Sequence, residues 1–70
     1  MYRYETIIYW SEDDQVFVAE VPELPGCVAH GASQEAALAH AQEAIMHWIE
    51  TAKEFSDPVP EPKGRRLNIA

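Results

Sequence analysis

The sequence predicts a two-layer α+β domain of order β-β-β-α-β, an antiparallel sheet packed against one long amphipathic helix. Three observations carry this. Between residues 2 and 31, runs rich in aromatic and β-branched residues alternate with short polar or Pro/Gly breaks. Residues 34 to 55 then run without a break, with apolar side chains at helical spacing. A proline-spaced connection, 58 to 64, and a short alternating tail, 65 to 70, follow. The 70 residues make one domain, 1 to 70.

"YRYETIIYW", residues 2 to 10, is the first expected strand. Tyr2, Tyr4, Thr6, Ile8 and Trp10 share one face; Arg3, Glu5, Ile7 and Tyr9 share the other. Both faces therefore carry large apolar groups. "SEDD", 11 to 14, suits a four-residue hairpin loop. "QVFVAEV", 15 to 21, is the second strand, antiparallel to the first because the loop is short.

Pro22 ends that strand, since it has no N–H to give to a ladder. Pro25 presets φ for the second position of a turn and Gly26 accepts positive φ at the third, the type II signature. "CVAHG", 27 to 31, is a short third strand. Ser33 suits the helix N-cap, where its hydroxyl accepts from a free N–H. Leu38, Ala41, Ile45, Trp48, Ile49 and Ala52 form the apolar stripe of the helix over 34 to 55. Ser56-Asp57-Pro58 stops it, because the residue before proline avoids helical backbone. "PVPEP" is an extended connection that also has the composition of a polyproline ligand. "RRLNIA" is expected to be a fourth strand.

One helix covers one face of a sheet, so the second face needs other cover. A domain this small buries only about 60% of its unfolded surface. The expectation is a homodimer or higher homo-oligomer.

Net charge is −7, from 12 acidic and 5 basic residues. Phosphate binding rests on Lys and Arg, so this balance argues against nucleic acid as a ligand of this chain. It favours a basic partner, through steering and complementarity, alongside simple solubility. Met1 is followed by Tyr-Arg-Tyr-Glu, not by a leader-like apolar run, and no stretch approaches the ~20 apolar residues of a membrane span. A single cysteine fits a reducing compartment. A cytoplasmic protein with no membrane association is expected.

Candidate chemistry is sparse. Cys27 has no Lys or Arg within twenty residues in sequence, so it reads as a small buried hydrophobe and not as a reactive thiolate. His40, Glu43 and His47 share a helical stripe and could together approach an ion, but His30 is the only remaining histidine and nothing in the sequence brings it near. Glu12, Asp13 and Asp14 are the kind of carboxylates that hold Mg²⁺, yet consecutive residues on a hairpin tip do not converge. No phosphate loop or nucleophile–base set exists. Neither an enzyme nor a cofactor is expected.

Val21-Pro22-Glu23-Leu24-Pro25-Gly26-Cys27, with Gly31, Ser33, Glu35, Ala36 and Leu38 opening the helix, carries a family likeness. Over roughly residues 3 to 62 the chain resembles the HicB-like antitoxins. The resemblance implies a β-β-β-α-β, partial ribonuclease H-like fold and a non-catalytic role. It implies a small basic partner, a HicA-like toxin that cleaves mRNA. Pro22, Pro25, Gly26, Cys27, Gly31 and Ser33 are then the structural motif. Many relatives add a C-terminal DNA-binding module. Only "KGRRLNIA" follows the connection here, so no direct nucleic-acid binding by this chain alone is expected. Glu43, Glu50 and Glu54 on the helix, with Glu12, Asp13 and Asp14, are the candidate contacts for a basic partner. The alternative is an oligomeric HicB-like domain with a regulatory or small-ligand-binding role.

Overall fold

The computed structural model describes residues 3–61. Three strands, β1 (Ile7–Ser11), β2 (Val16–Glu20) and β3 (Val28–Gly31), precede the helix α1 (Gln34–Glu54). The sheet is antiparallel with order β1-β2-β3. This is the expected α+β architecture. The expected fourth strand, 65 to 70, and the end of the connection lie outside the described residues.

The register explains where the strands stop. Ile7 pairs with Glu20, and Glu20 with Val28. Val21 lies opposite Cys27 and its N–H bonds the Cys27 carbonyl at 3.0 Å, while Pro22, next in turn to face β1, has no N–H to give to a ladder. The β1–β2 ladder starts at Ile7, and β1 begins there, where the strand was expected from Tyr2. At the hairpin Ser11 pairs with Val16, so the loop is 12 to 15, one residue later than expected. Gln15 adopts φ 56° and its N–H bonds the Ser11 carbonyl at 2.8 Å. Left-handed backbone is unfavourable for glutamine, so its side chain does not advertise the position.

Ser33 caps α1 as expected: its Oγ accepts from the Ala36 N–H at 3.0 Å, with Ser33 extended at φ −140°. At the other end Phe55 is the C-cap. Ser56 takes φ 58°, its N–H bonds the Lys53 carbonyl, and the Asp57 N–H bonds the Ala52 carbonyl. That is a Schellman closure with serine in the left-handed position that glycine usually holds.

The core has two adjoining parts. Beside the first half of the helix, Ala19, Ala29, Ala37 and Ala41 pack together, flanked by Ile8 and Phe17. Beside the second half, Tyr4, Val21, Leu24, Cys27 and Ile45 pack together, flanked by Ala44, Trp48 and Ile49. The small side chains belong where helix and sheet approach closest. A Cβ on Gly31 would stand 2.3 Å from the Ala37 nitrogen and 2.7 Å from the Ala36 carbonyl carbon. Such proximity displaces the bulky Leu38 from the expected stripe. Leu38 is 37% exposed and Ala37 fully buried in its place. The other stripe residues, Ala41, Ile45, Trp48, Ile49 and Ala52, all pack inward or partly so.

Candidate functional site

The β2–β3 connection is two turns in tandem. The Leu24 N–H bonds the Val21 carbonyl at 3.1 Å, and the Cys27 N–H bonds the Leu24 carbonyl at 3.0 Å. The second turn carries Pro25 at its second position and Gly26, φ 80°, at its third, the type II geometry. Pro22 occupies the second position of the first turn, where its missing N–H is not needed. Leu24 points inward and is fully buried. Trp48 ties the connection to the helix: its Nε1–H donates to the Pro25 carbonyl at 3.0 Å.

Cys27 is only 7% exposed and packs in the core. Burial pushes its thiol up from the ordinary value. A thiol held protonated by desolvation is a poor nucleophile. The residue closes a turn and fills space.

The histidines do not converge. His40 Nδ1 lies 2.6 Å from the His30 carbonyl oxygen. A carbonyl only accepts, so Nδ1 carries the proton and the ring is turned toward the end of β3. Nothing in their spacing places these residues together, and the fold joins the His40 ring to the backbone of His30. Ala29 packs in the core and a Gly31 Cβ would meet the helix, so the intervening His30 side chain faces away from α1. Among the described residues no three His, Cys, Asp or Glu side chains are placed to share a metal ion.

The six candidate carboxylates fall in two places. Glu43, Glu50 and Glu54 are exposed on α1, at spacings of seven and four that keep them on one side. Glu12, Asp13 and Asp14 are exposed on the β1–β2 hairpin. Two of these are partly engaged: Glu12 accepts from Trp10 Nε1 at 3.1 Å and from Gln15 Nε2 at 3.1 Å, and Asp14 from Ser11 Oγ at 3.4 Å. The hairpin adjoins the end of the sheet that meets the start of α1, whereas Glu50 and Glu54 sit in the helix's last turns.

The sheet face turned from the helix carries Ile7, Tyr9, Val16, Val18 and Val28, with Glu20 among them. Tyr9 is 43% and Val28 45% exposed. The Tyr9 hydroxyl donates to Glu20 Oε2 at 2.7 Å, and that bond raises its pKa. On the other side of β1, Trp10 stacks edge-on against Phe17 with ring centroids 5.1 Å apart. The helix is not long and apolar enough to cross a membrane.

Comparison with known proteins gives one consistent result. The family model described as "HicB_like antitoxin of bacterial toxin-antitoxin system" matches residues 4–67. The UPF0150 protein Ta0767 of Thermoplasma acidophilum is 31% identical over 64 residues, which span 91% of this chain and 93% of that protein. No solved structure matches. With three antiparallel strands, the tandem-turn connection and the capped helix all in place, the chain belongs to the HicB-like antitoxin family.

Proposed function

We propose that this chain is a non-catalytic antitoxin that sequesters a small basic HicA-like toxin and blocks its cleavage of mRNA. The family match carries the reading. Charge supports it: residues 3–61 hold all twelve acidic side chains and only two basic ones, Arg3 and Lys53. Glu43, Glu50 and Glu54 form the helix contribution to the basic partner's site, and Glu12, Asp13 and Asp14 that of the hairpin. Their separation suits a partner that spans the domain from hairpin to helix end. The chain acts without a cofactor, in the cytoplasm, and does not itself bind nucleic acid or membrane.

The test is biological. A small basic chain is expected to be encoded beside this one; expressed alone it should arrest growth and deplete mRNA, and this chain should relieve both. A neighbour without toxicity, or toxicity unrelieved by this chain, would overturn the reading. Reversing Glu43, Glu50 and Glu54 together to lysine should weaken the complex most at low salt, where screening is least.

The sheet face turned from the helix supports self-association as a homodimer or higher homo-oligomer, with Val18 on the central strand and Ile7, Tyr9 and Val28 on the flanking ones. Sedimentation at micromolar concentration should give a species heavier than the monomer, and Tyr9→Glu should return it to monomer. A regulatory or small-ligand role, the alternative, draws on a cleft lined by Trp48 between the β2–β3 connection and α1.

A further inference from the structure

A cleft of about 470 Å³ opens between the β2–β3 connection and the second half of α1. Gly26, Cys27 and Val28 form one wall, and Ala44, Trp48 and Ala52 the other, with His47, Thr51 and Asp57 at its edge. That volume falls in the range of sites for small organic groups.

The chemistry of the lining is selective. The Trp48 N–H is committed to the Pro25 carbonyl, so a ligand meets the indole ring and not its donor. The same bond fixes the ring before anything binds. The Cys27 thiol is held neutral by burial. Asp57 is the one carboxylate among the described lining residues, and none of them is Lys or Arg. The backbone N–H of Asp57 is used in closing the helix, which anchors the residue while its exposed side chain stays at the rim. Thr51 and, in its neutral form, His47 add acceptors.

A preset aromatic ring and a carboxylate that line one largely apolar cleft, with no Lys or Arg among its described lining residues, suit a planar organic cation. Guanidinium fits better than ammonium, because it is weakly hydrated, stacks on aromatic faces and pairs with carboxylates. We infer that this cleft between Trp48 and Asp57 receives an arginine side chain of a basic protein partner. The partner being basic rests on the function proposed above; the binding of guanidinium does not.

The test uses the full chain and two-dimensional ¹⁵N NMR. The protein has two tryptophans, Trp10 and Trp48, so the Trp10 indole signal is an internal control. Nα-acetyl-arginine amide is titrated to millimolar levels, with the uncharged citrulline analogue in parallel at matched ionic strength. The Trp48 indole and the amides of Thr51 and Asp57 should shift saturably while Trp10 stays still. Citrulline should bind about three- to fivefold more weakly, and Asp57→Asn should bring arginine down to the citrulline level. Absence of a saturable Trp48 shift, equal affinity for both ligands, or full affinity in Asp57→Asn would each overturn the inference. Arginine binding with no toxin in the neighbourhood would remove the antitoxin reading alone. A captured toxin unaffected by Asp57→Asn and Trp48→Leu would remove the cleft alone.

Discussion

Replacing Gly31 by alanine should cost this domain more than almost any other single methyl group. Gly31 is not in left-handed backbone, so the penalty is not conformational. It is steric. The new Cβ would stand 2.3 Å from the Ala37 nitrogen, 2.7 Å from the Ala36 carbonyl carbon and 2.9 Å from the Ala36 Cβ. The first gap is about 1.1 Å short of the 3.4 Å at which ordinary contact begins. Two of the three opposing atoms are backbone, so no side chain can rotate away. The first turn of α1 must withdraw from β3 instead. That loosens the alanine cluster of Ala19, Ala29, Ala37 and Ala41, and strains the Ser33 cap. Overpacking of this kind costs about 1–3 kcal/mol and loss of a cap about 1 kcal/mol more. A loss of about 3 kcal/mol follows, which lowers Tm by roughly 12–24 °C in a domain of this size.

The assay is urea and thermal unfolding followed by far-ultraviolet circular dichroism. Gly26→Ala is the control, since its Cβ meets nothing within 4 Å but must sit at φ 80°. It should cost about 1–2 kcal/mol through strain alone. Adding Ala36→Gly to Gly31→Ala should not rescue, because the closest contact is to the Ala37 nitrogen. A Gly31→Ala loss under about 1 kcal/mol, or full rescue by Ala36→Gly, would refute the close-approach argument.

Ser56→Gly should stabilise by about 1 kcal/mol, read as a raised urea midpoint at unchanged slope, because it relieves a serine at φ 58° in the helix closure. Gln15→Gly should gain less, since it also loses the bond from Gln15 Nε2 to the Glu12 carbonyl at 2.8 Å. Ile45→Ala, at a side chain with no exposed surface, should cost about 2–5 kcal/mol by the same assay. Burial raises the Cys27 pKa, so the folded state holds the proton more tightly than the unfolded state. Stability from this group is intact below the ordinary thiol range, near pH ~8.5, and declines as pH rises through it. Cys27→Ala should remove that part of the alkaline slope; an unchanged slope would place the titrating group elsewhere.

Local chemistry made much of this fold legible. The turn at Leu24-Pro25-Gly26-Cys27 follows from two residues with narrow backbone preferences, and the Ser33 cap from one hydroxyl. What stayed hidden depends on neighbours distant in sequence. Periodicity admits Leu38 to the helical stripe; only the bare backbone of Gly31 against the first turn excludes it in favour of Ala37. The start of β1 at Ile7 depends on Pro22 ending the side of β2 that faces it, which no property of residues 2 to 6 announces. Gln15 and Ser56 take left-handed backbone without the glycine or asparagine that signals it. The cleft is the clearest case. Trp48 reads from sequence as a stripe residue, and nothing in the spacing tells that its ring edges an opening shared with Asp57.

The proposed role of this acidic domain is to hold a small basic protein. The most direct measurement is native mass spectrometry of the tagged chain, purified after expression from its own operon with both neighbouring genes. A small basic chain should be retained at fixed stoichiometry and released as salt rises. A homo-oligomer free of any such chain, recovered while the neighbours are demonstrably expressed, would contradict it.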